Sequence, residues 1–257
     1  MATEQSTAVP NELSFDTFRQ ALAEFIGVML FVFIGAGSVV IAKAYYAQYD
    51  GQSPVPDPLF VTAVALAHGL AIATMVAATA NISGGHINPA VSFAQMLAGK
   101  MSFPKTVVYI AAQLGGAVVG ALLLKAVIAG PLEQGLGAHG LGATFLLEDQ
   151  VGDGVGAGLV VEIILTFALV FVVFATAVDP RGNKTIAPLA IGFVILIDHF
   201  VGIPLTGASM NPARSFGPAL VANVWTDHWI YWVGPLVGGG IAGLVYELFF
   251  MHRSEAT

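Results

Sequence analysis

The sequence predicts an all-α membrane protein built from six transmembrane helices, two re-entrant half-helices and an inverted repeat. Three observations lead to this prediction. The composition is strongly apolar, hydrophobic stretches of membrane-spanning length recur along the chain, and the triplet Asn-Pro-Ala occurs twice where such a stretch is interrupted. Each observation constrains a different part of the fold.

The composition excludes several classes of protein. Hydrophobic residues make up 56% of the 257 positions and charged residues only 10%, which is too apolar for an ordinary soluble domain. The chain has no cysteine, so a disulfide framework and a cysteine-based metal or redox site are both excluded. A net charge of −7 without a basic run argues against nucleic acid as a partner. We expect a lipid bilayer around the chain, and no cofactor or metal ion.

Several stretches approach the ~20 consecutive apolar residues that cross a bilayer. They are Phe18–Ala44, Leu59–Ala80, Val107–Ala129, Val155–Val178, Ile186–Ile203 and Trp229–Met251. Polar segments rich in glycine or proline separate them. The longest separator, Pro131–Gly154, divides the chain into two halves with three predicted crossings each.

Basic residues predict the orientation in the membrane. The tail 1–16 is polar and lacks a cleavage pattern, so we expect the first span to remain as an anchor. Most basic residues fall on the side of the two termini: Arg19, Lys100, Lys105, Arg181, Lys184 and Arg253. The other side has Lys43 and Lys125, and Arg214 lies at membrane depth. By the positive-inside rule, the tail 1–16 and both termini are cytosolic.

The two triplets, Asn88-Pro89-Ala90 and Asn211-Pro212-Ala213, predict a pore. Unpaired backbone groups at membrane depth cost several kcal/mol each unless they are buried in protein or line water. Proline is tolerated at the first position of a helix, and asparagine is a favourable N-cap. Each triplet therefore predicts a short half-helix whose N-terminus points into the bilayer.

The halves are similar to each other in sequence. The pattern Tyr109-x3-Gln113-x2-Gly116 aligns with Tyr231-x3-Pro235-x2-Gly238, and Glu24-Phe25-Ile26 aligns with Glu162-Ile163-Ile164. Three crossings per half give the halves opposite orientations, and such inverted repeats hold the functional site near the midplane. We predict one transmembrane channel domain over 1–257, with a first repeat at 18–130 and a second at 155–251.

Both triplet loops resemble the signature loops of the major intrinsic proteins, the aquaporins. The loops are Ser83–Val91 and Thr206–Ser215, and the resemblance covers the chain from Glu24 to Glu247. The segments 179–184 and 225–235 are similar to the plant tonoplast intrinsic subgroup. The resemblance implies the hourglass fold, in which two half-helices meet at the centre, and a homotetramer with one pore per monomer. It also implies the vacuolar membrane, with the plasma membrane as the alternative.

The centre of such a pore is expected to have a positive electrostatic potential. Two helix N-termini that face each other place two positive dipole ends, each of roughly half a charge, at the midpoint. Asn88 and Asn211 can each offer an amide hydrogen to a passing oxygen. Water is then held with its hydrogens pointing outward, and in aquaporin-type pores such dipoles exclude protons and cations.

The resemblance also implies a selectivity filter, at the positions of His68, His199, Ala208 and Arg214. An arginine at membrane depth is costly and is normally kept where it faces a watery cavity, the alternative here being an interior salt bridge. His199 has the identity found in water-selective members, whereas His68 matches the tonoplast subgroup. The combination of His68 and His199 departs from the subgroup's pattern, so the resemblance does not decide whether ammonia permeates.

Four other ionisable residues have candidate roles. By resemblance, Glu24 and Glu162 accept hydrogen bonds from backbone amides of the re-entrant loops, which offsets the cost of burying them. His139 resembles a loop histidine that touches the filter arginine, so it is a candidate extension of the filter or pH sensor. Asp198, beside His199, either faces a neighbouring subunit or tunes the pKa of that histidine.

The expected function is a passive water channel that excludes protons and ions, with ammonia and hydrogen peroxide as candidate further solutes. The rival within the channel class is a glycerol or urea facilitator, but such members tend to have glycine in place of His199 and aspartate in place of Ser215. A secondary transporter would need a midplane ion site beyond Glu24 and Glu162. An enzyme is not expected, because no catalytic triad spacing or HExxH pair is present.

Overall fold

The computed structural model describes residues 14–49, 57–128, 140–147, 151–152 and 154–251. The helices in these ranges are α1 (Phe15–Tyr49), α2 (Pro58–Ser83), α3 (Pro89–Leu97), α4 (Phe103–Val127), α5 (Val155–Val173), α6 (Ala187–Thr206), α7 (Pro212–Ala222) and α8 (Ile230–Val245). Helices α5 and α8 continue into the π-helical turns Phe174–Val178 and Tyr246–Phe250.

The predicted fold class is confirmed. Six of the helices in the described ranges are long and apolar enough to cross a membrane, and α3 and α7 are the two half-helices. Helix ends differ from the predicted ones by a few residues. Helix α1 continues to Tyr49 rather than ending at Ala44, and α4 begins at Phe103 rather than Val107. Helical hydrogen bonding continues past the hydrocarbon layer into the interfacial region, where hydropathy no longer marks it.

The two half-helices begin in the same way. Asn88 caps α3 by accepting a hydrogen bond from the Ala90 amide, and Asn211 caps α7 by accepting one from Ala213. Both asparagines have extended backbone, and a proline follows each of them as the first helical residue. Both triplets therefore begin a half-helix, as predicted.

The loops that lead into the half-helices share a backbone pattern of left-handed residues. Gly84, Gly85 and Ile87 have φ of +93°, +65° and +51°, and the matching Gly207, Ala208 and Met210 have +76°, +54° and +50°. Positive φ is unfavourable for residues with a β-carbon, so it persists only where the surroundings over-determine it. The chain leaves α2 and α6 by the same path, as an inverted repeat requires.

Glycines bring the spanning helices into backbone contact. A β-carbon at Gly116 of α4 would lie 2.2 Å from the Phe25 carbonyl oxygen of α1, and one at Gly238 of α8 would lie 2.1 Å from that of Ile163 in α5. Small residues at such crossings allow membrane helices to pack closely. The same contact occurs in both halves, so these glycines let the helices of each half pack closely.

The surface of the bundle is apolar where a bilayer would surround it. Large hydrophobic side chains stand exposed on successive turns of the spanning helices, including Leu22, Ile26 and Leu30 of α1 and Phe193 and Ile197 of α6. Polar groups are placed inside instead, with Glu24 and Glu162 both 0% exposed. The interior of the bundle is therefore where the chemistry of the protein lies.

Candidate pore and selectivity filter

Glu24 is the anchor of the first re-entrant loop. Its carboxylate accepts hydrogen bonds from the Ser83 hydroxyl at 2.6 Å, the His86 amide at 2.9 Å, the Ile87 amide at 2.6 Å and the Gln113 side chain at 2.8 Å. A buried carboxylate is costly unless hydrogen bonds of this kind compensate it. Glu24 thus ties α1 and α4 to the loop that precedes Asn88.

Glu162 holds the second loop through a matching set of contacts. It accepts hydrogen bonds from the Thr206 hydroxyl at 2.6 Å, the Ser209 amide at 2.9 Å and the Met210 amide at 2.8 Å. Tyr231 donates to the Thr206 carbonyl at 3.0 Å. The position that corresponds to Gln113 is Pro235, so this carboxylate lacks the amide donor that Glu24 receives.

The two capping asparagines also hold the loops against each other. The Asn88 side-chain nitrogen donates to the Met210 carbonyl at 2.8 Å, and that of Asn211 donates to the Ile87 carbonyl at 2.9 Å. Each asparagine therefore caps its own half-helix with its oxygen and crosses to the opposite loop with its nitrogen. These reciprocal bonds fix the two helix N-termini face to face in the middle of the bundle.

His68 and His199 lie next to each other, with ring centroids 4.4 Å apart and the rings tilted by 33°, and both are buried. Nδ1 of His68 is 2.9 Å from the Val64 carbonyl oxygen, and Nδ1 of His199 is 2.8 Å from that of Ile195. A carbonyl can only accept, so in the neutral rings Nδ1 carries the proton and Nε2 is an acceptor. Neither Nε2 has a hydrogen-bond partner among the described residues.

Arg214 lies beside this pair and is only 2% exposed. Its Nη1 donates to the Gly142 carbonyl at 2.9 Å, and its backbone amide donates to the Asn211 side chain at 3.2 Å. None of the ion pairs within the described ranges involves Arg214, so the interior salt bridge considered from the sequence is not observed. Its charge is close enough to act on both imidazoles.

Three of the four positions expected to form a filter, His68, His199 and Arg214, therefore lie together. Ala208, fully buried at φ +54°, is in the loop that runs to Asn211. Nε of Arg214 has no hydrogen-bond partner in the described part of the chain, as is also the case for Nε2 of both histidines. Buried polar atoms without a protein partner are normally satisfied by water.

A cavity of about 340 Å³ opens beside the first triplet loop. His86, Lys100, Lys105 and Tyr109 are among the residues that line it. The Lys105 amine lies 5.4 Å from the centroid of the Tyr109 ring, and the Lys100 amine is 2.9 Å from Glu247. This space lies at the face where α1 begins and α8 ends.

Two sequence predictions lack a structural account. His139 lies outside the described residues, so its role as a filter contact or pH sensor stays a prediction. Asp198 is 6% exposed, and its Oδ2 has no hydrogen-bond partner among the described side chains or backbone. We assign it no part in the filter.

Other polar residues of the site were missed by sequence reasoning. The sequence indicates only that Gln113 belongs to a pattern shared by the two halves, and it assigns no role to Ser92 or Thr144. Gln113 in fact donates to both Glu24 and Ser92, and Thr144 donates to Ser215. The only signal in the sequence was the presence of these polar residues within otherwise apolar or glycine-rich segments.

Comparison with known proteins gives a consistent family. Residues 12–246 match the family model described as Major intrinsic protein. A probable aquaporin TIP1-2 of Oryza sativa subsp. japonica is 47% identical over 253 residues, covering 96% of this chain and 93% of that protein. Aquaporin TIP1-1 of Arabidopsis thaliana is 46% identical over 242 residues, covering 93% of this chain and 90% of that protein.

A solved structure supports the fold independently. The aquaglyceroporin from Plasmodium falciparum superposes with a TM-score of 0.76 at 24% sequence identity. The match covers 91% of this chain and 96% of that one. At this identity the similarity establishes the fold alone.

Proposed function

The chain belongs to the major intrinsic protein family and is a passive water channel, and we propose that its pore runs between the paired half-helices and through a ring of four side chains. The ring is formed by His68, His199, Ala208 and Arg214. The single observation that carries this proposal is the pair of hydrogen bonds by which Asn88 and Asn211 each donate to the opposite loop, which holds the two helix N-termini face to face.

Proton exclusion follows from the hydrogen-bonding capacity of those asparagines. A side-chain amide has two hydrogens, and each asparagine donates one of them to the facing loop. The remaining hydrogen of each amide is then offered to the oxygen of a central water molecule. Because that oxygen accepts two bonds, its own hydrogens point away from the centre, and a continuous donor chain for protons cannot form.

Cations are excluded by charge. Two half-helix dipoles contribute positive potential at the midpoint, and the Arg214 guanidinium adds a full charge at the ring. Its Nη1 is bonded to the Gly142 carbonyl, which holds the charge at the wall of the pore. Neutral solutes meet no such barrier, so we propose that size and hydrogen bonding at the ring decide which of them pass.

We propose that the ring excludes glycerol and urea. The adjacent imidazoles of His68 and His199, with centroids 4.4 Å apart, occupy space that a smaller side chain would leave open. Ammonia and hydrogen peroxide are smaller, and we propose them as further permeants. By its resemblance to tonoplast intrinsic proteins, the chain is proposed to form a homotetramer in the vacuolar membrane, with both termini cytosolic.

Stopped-flow light scattering of proteoliposomes tests the water and proton proposals together. We expect osmotic shrinkage much faster than in empty liposomes, with a low activation energy, and no increase in proton flux reported by an entrapped pH-sensitive dye. Shrinkage no faster than in empty liposomes at several pH values, or a proton flux that rises with protein content, would contradict the proposal.

The filter is tested by substituting one histidine. His199→Ala should raise glycerol and urea permeability while water permeation persists, because the ring loses an imidazole. His228→Ala is a matched control, since the His228 ring contacts Trp225 and Tyr231, with centroids 5.0 and 6.0 Å away, and neither of these is a proposed filter residue. An unchanged solute profile in His199→Ala would mean that the narrowest point lies elsewhere.

A further inference from the structure

Corresponding serines of the two half-helices are held by different elements. In the first repeat the Ser92 hydroxyl accepts a hydrogen bond from the Gln113 amide of α4 at 3.1 Å. The counterpart of Ser92 in α7 is Ser215, and the counterpart of Gln113 in α8 is Pro235. Proline has no side-chain donor, so the second repeat cannot bind its serine from a spanning helix in the same way.

The side chain that donates a hydrogen bond to Ser215 lies outside the spanning helices. The Thr144 hydroxyl, in the segment 140–147 between α4 and α5, donates to the Ser215 hydroxyl at 2.9 Å. Ser215 and Ser209 are 2.6 Å apart, and Ser209 donates to the Asn211 carbonyl at 3.2 Å. These hydroxyls can therefore donate in one direction, from Thr144 to Ser215, from Ser215 to Ser209, and from Ser209 to the carbonyl of Asn211, the residue that caps α7.

The same segment also holds the filter arginine. Gly142, two residues before Thr144, accepts the hydrogen bond from Arg214, the residue before Ser215. Gly142 has φ +71°, and a β-carbon there would lie 2.6 Å from the Ala36 carbonyl oxygen of α1. The segment is thus pressed against α1 and joined to two consecutive residues of α7.

We propose that Thr144 is a positioning residue for the selectivity filter. Through Ser215 its hydroxyl fixes the register between segment 140–147 and α7, and so fixes where the Gly142 carbonyl holds the Arg214 guanidinium. Without the hydroxyl the segment keeps its backbone contacts but loses its side-chain bond to α7. The guanidinium then has a wider range of positions, and larger neutral solutes pass. This inference rests on the proposed filter function of Arg214.

Two substitutions of Thr144 separate the hydroxyl from the shape of the side chain. Thr144→Val keeps the branched shape and removes the hydroxyl, whereas Thr144→Ser keeps the hydroxyl. We expect Thr144→Val to raise the ratio of urea to water permeability by about fivefold, the effect of losing one hydrogen bond. Thr144→Ser should stay near the parent ratio. Equal ratios in the parent and both variants would overturn the proposal.

Ser215→Ala provides a second route if Thr144→Val does not assemble. It removes the acceptor of the same bond, so its urea-to-water ratio should also rise, and a parent-like ratio would overturn the proposal. Where both single variants assemble, the double variant should show no larger effect than either of them, because the bond is already lost. Additive effects would mean that the residues act separately.

Arg214→Ala distinguishes failure of this proposal from failure of the filter itself. If Arg214→Ala leaves the urea-to-water ratio at the parent value, the filter assignment fails, and the Thr144 proposal fails with it. If Arg214→Ala raises the ratio but Thr144→Val does not, only the Thr144 proposal fails. Adding Thr144→Val to Arg214→Ala should change nothing further, because Thr144 acts through the guanidinium.

Discussion

Gly35 of α1 lies directly against the imidazole of His68 in α2. A β-carbon at Gly35 would be 2.7 Å from Nε2 and 2.8 Å from Cδ2 of that ring, closer than real contacts of this kind. The ring of His199 is on another side, with its centroid at 4.4 Å, and Phe31 meets the ring edge-on at 5.7 Å. The absence of a side chain at Gly35 therefore sets how far His68 stands from its neighbour in the filter.

Gly35→Ala should reduce water permeability several-fold. The added methyl group would push the imidazole away from α1 and towards His199, which narrows the ring. Gly37→Ala is the matched control, because a β-carbon there meets only the end of a flexible leucine, Leu124, at 3.2 Å. Stopped-flow measurements should also show recovery in Gly35→Ala/His68→Ala. Equal water permeability in Gly35→Ala and Gly37→Ala would show that His68 does not limit flow.

Asn211→Asp should weaken proton exclusion while leaving the half-helix start in place. A carboxylate can still cap α7, but it has no hydrogen to donate to the Ile87 carbonyl or to water, and its charge offsets the dipoles. We expect a proton flux above that of the parent in liposomes with an entrapped pH dye. The loss of the bond to Ile87 should also cost about 1–3 kcal/mol of stability. A proton flux equal to the parent's would refute the orientation mechanism.

Glu162→Gln should destabilise the folded protein more than a surface substitution does. The carboxylate accepts bonds from Thr206, Ser209 and Met210, whereas glutamine presents an NH₂ group to one part of this donor set. Each lost bond to a charged group costs about 1.5–3 kcal/mol. Thermal unfolding in detergent should show a midpoint several degrees lower, with Lys184→Gln as the exposed control. Coincident unfolding curves would mean that the carboxylate is dispensable.

Acidification from pH 8 to pH 5 should not release the end of α8. Arg181 donates to Asp179 and to the Phe250 carbonyl, and Tyr246 donates to Asp179. The hydrogen bonds from Arg181 hold the pKa of Asp179 well below its ordinary value. A depressed carboxyl pKa contributes stability above the unfolded value of about 4, and this stability is lost only as pH falls through the folded pKa.

Hydrogen exchange measures this directly. Protection of the amides of residues 246–251, corrected for the intrinsic effect of pH, should be constant from pH 8 to pH 5 in the parent. Asp179→Asn should lower that protection at every pH, because the charged partner of Arg181 is gone. Protection that disappears in the parent by pH 5 would show that another group controls this end of the helix.

Much of the fold could be predicted from the sequence because a bilayer imposes few choices. A span must be long and apolar, and a break such as the one at Asn88-Pro89 must be turned away from lipid. The positions of Glu24 and Arg214 were informative for the same reason, since charges at membrane depth need specific surroundings. These arguments depend on local composition, which the sequence contains directly.

The contacts that complete the site could not be predicted, because they join distant residues. Thr144 and Ser215 are 71 positions apart, and Thr144 lies in a segment that hydropathy identifies only as a polar separator. Gln113 reaches Glu24 across 89 positions from within an apolar span. The left-handed backbone at Ala208 is likewise imposed by the loop that surrounds it, since alanine itself does not favour that conformation.

Because Pro235 stands where the first repeat has Gln113, the two re-entrant loops are held in place by different parts of the chain. The side chains that brace the first re-entrant loop, Glu24 and Gln113, both belong to spanning helices. The other is braced in part by a connecting segment, through Thr144 and Gly142, so a substitution in that segment acts directly on the residues that hold Arg214. The geometry around Arg214 is therefore open to change from one side of the membrane through a connecting segment.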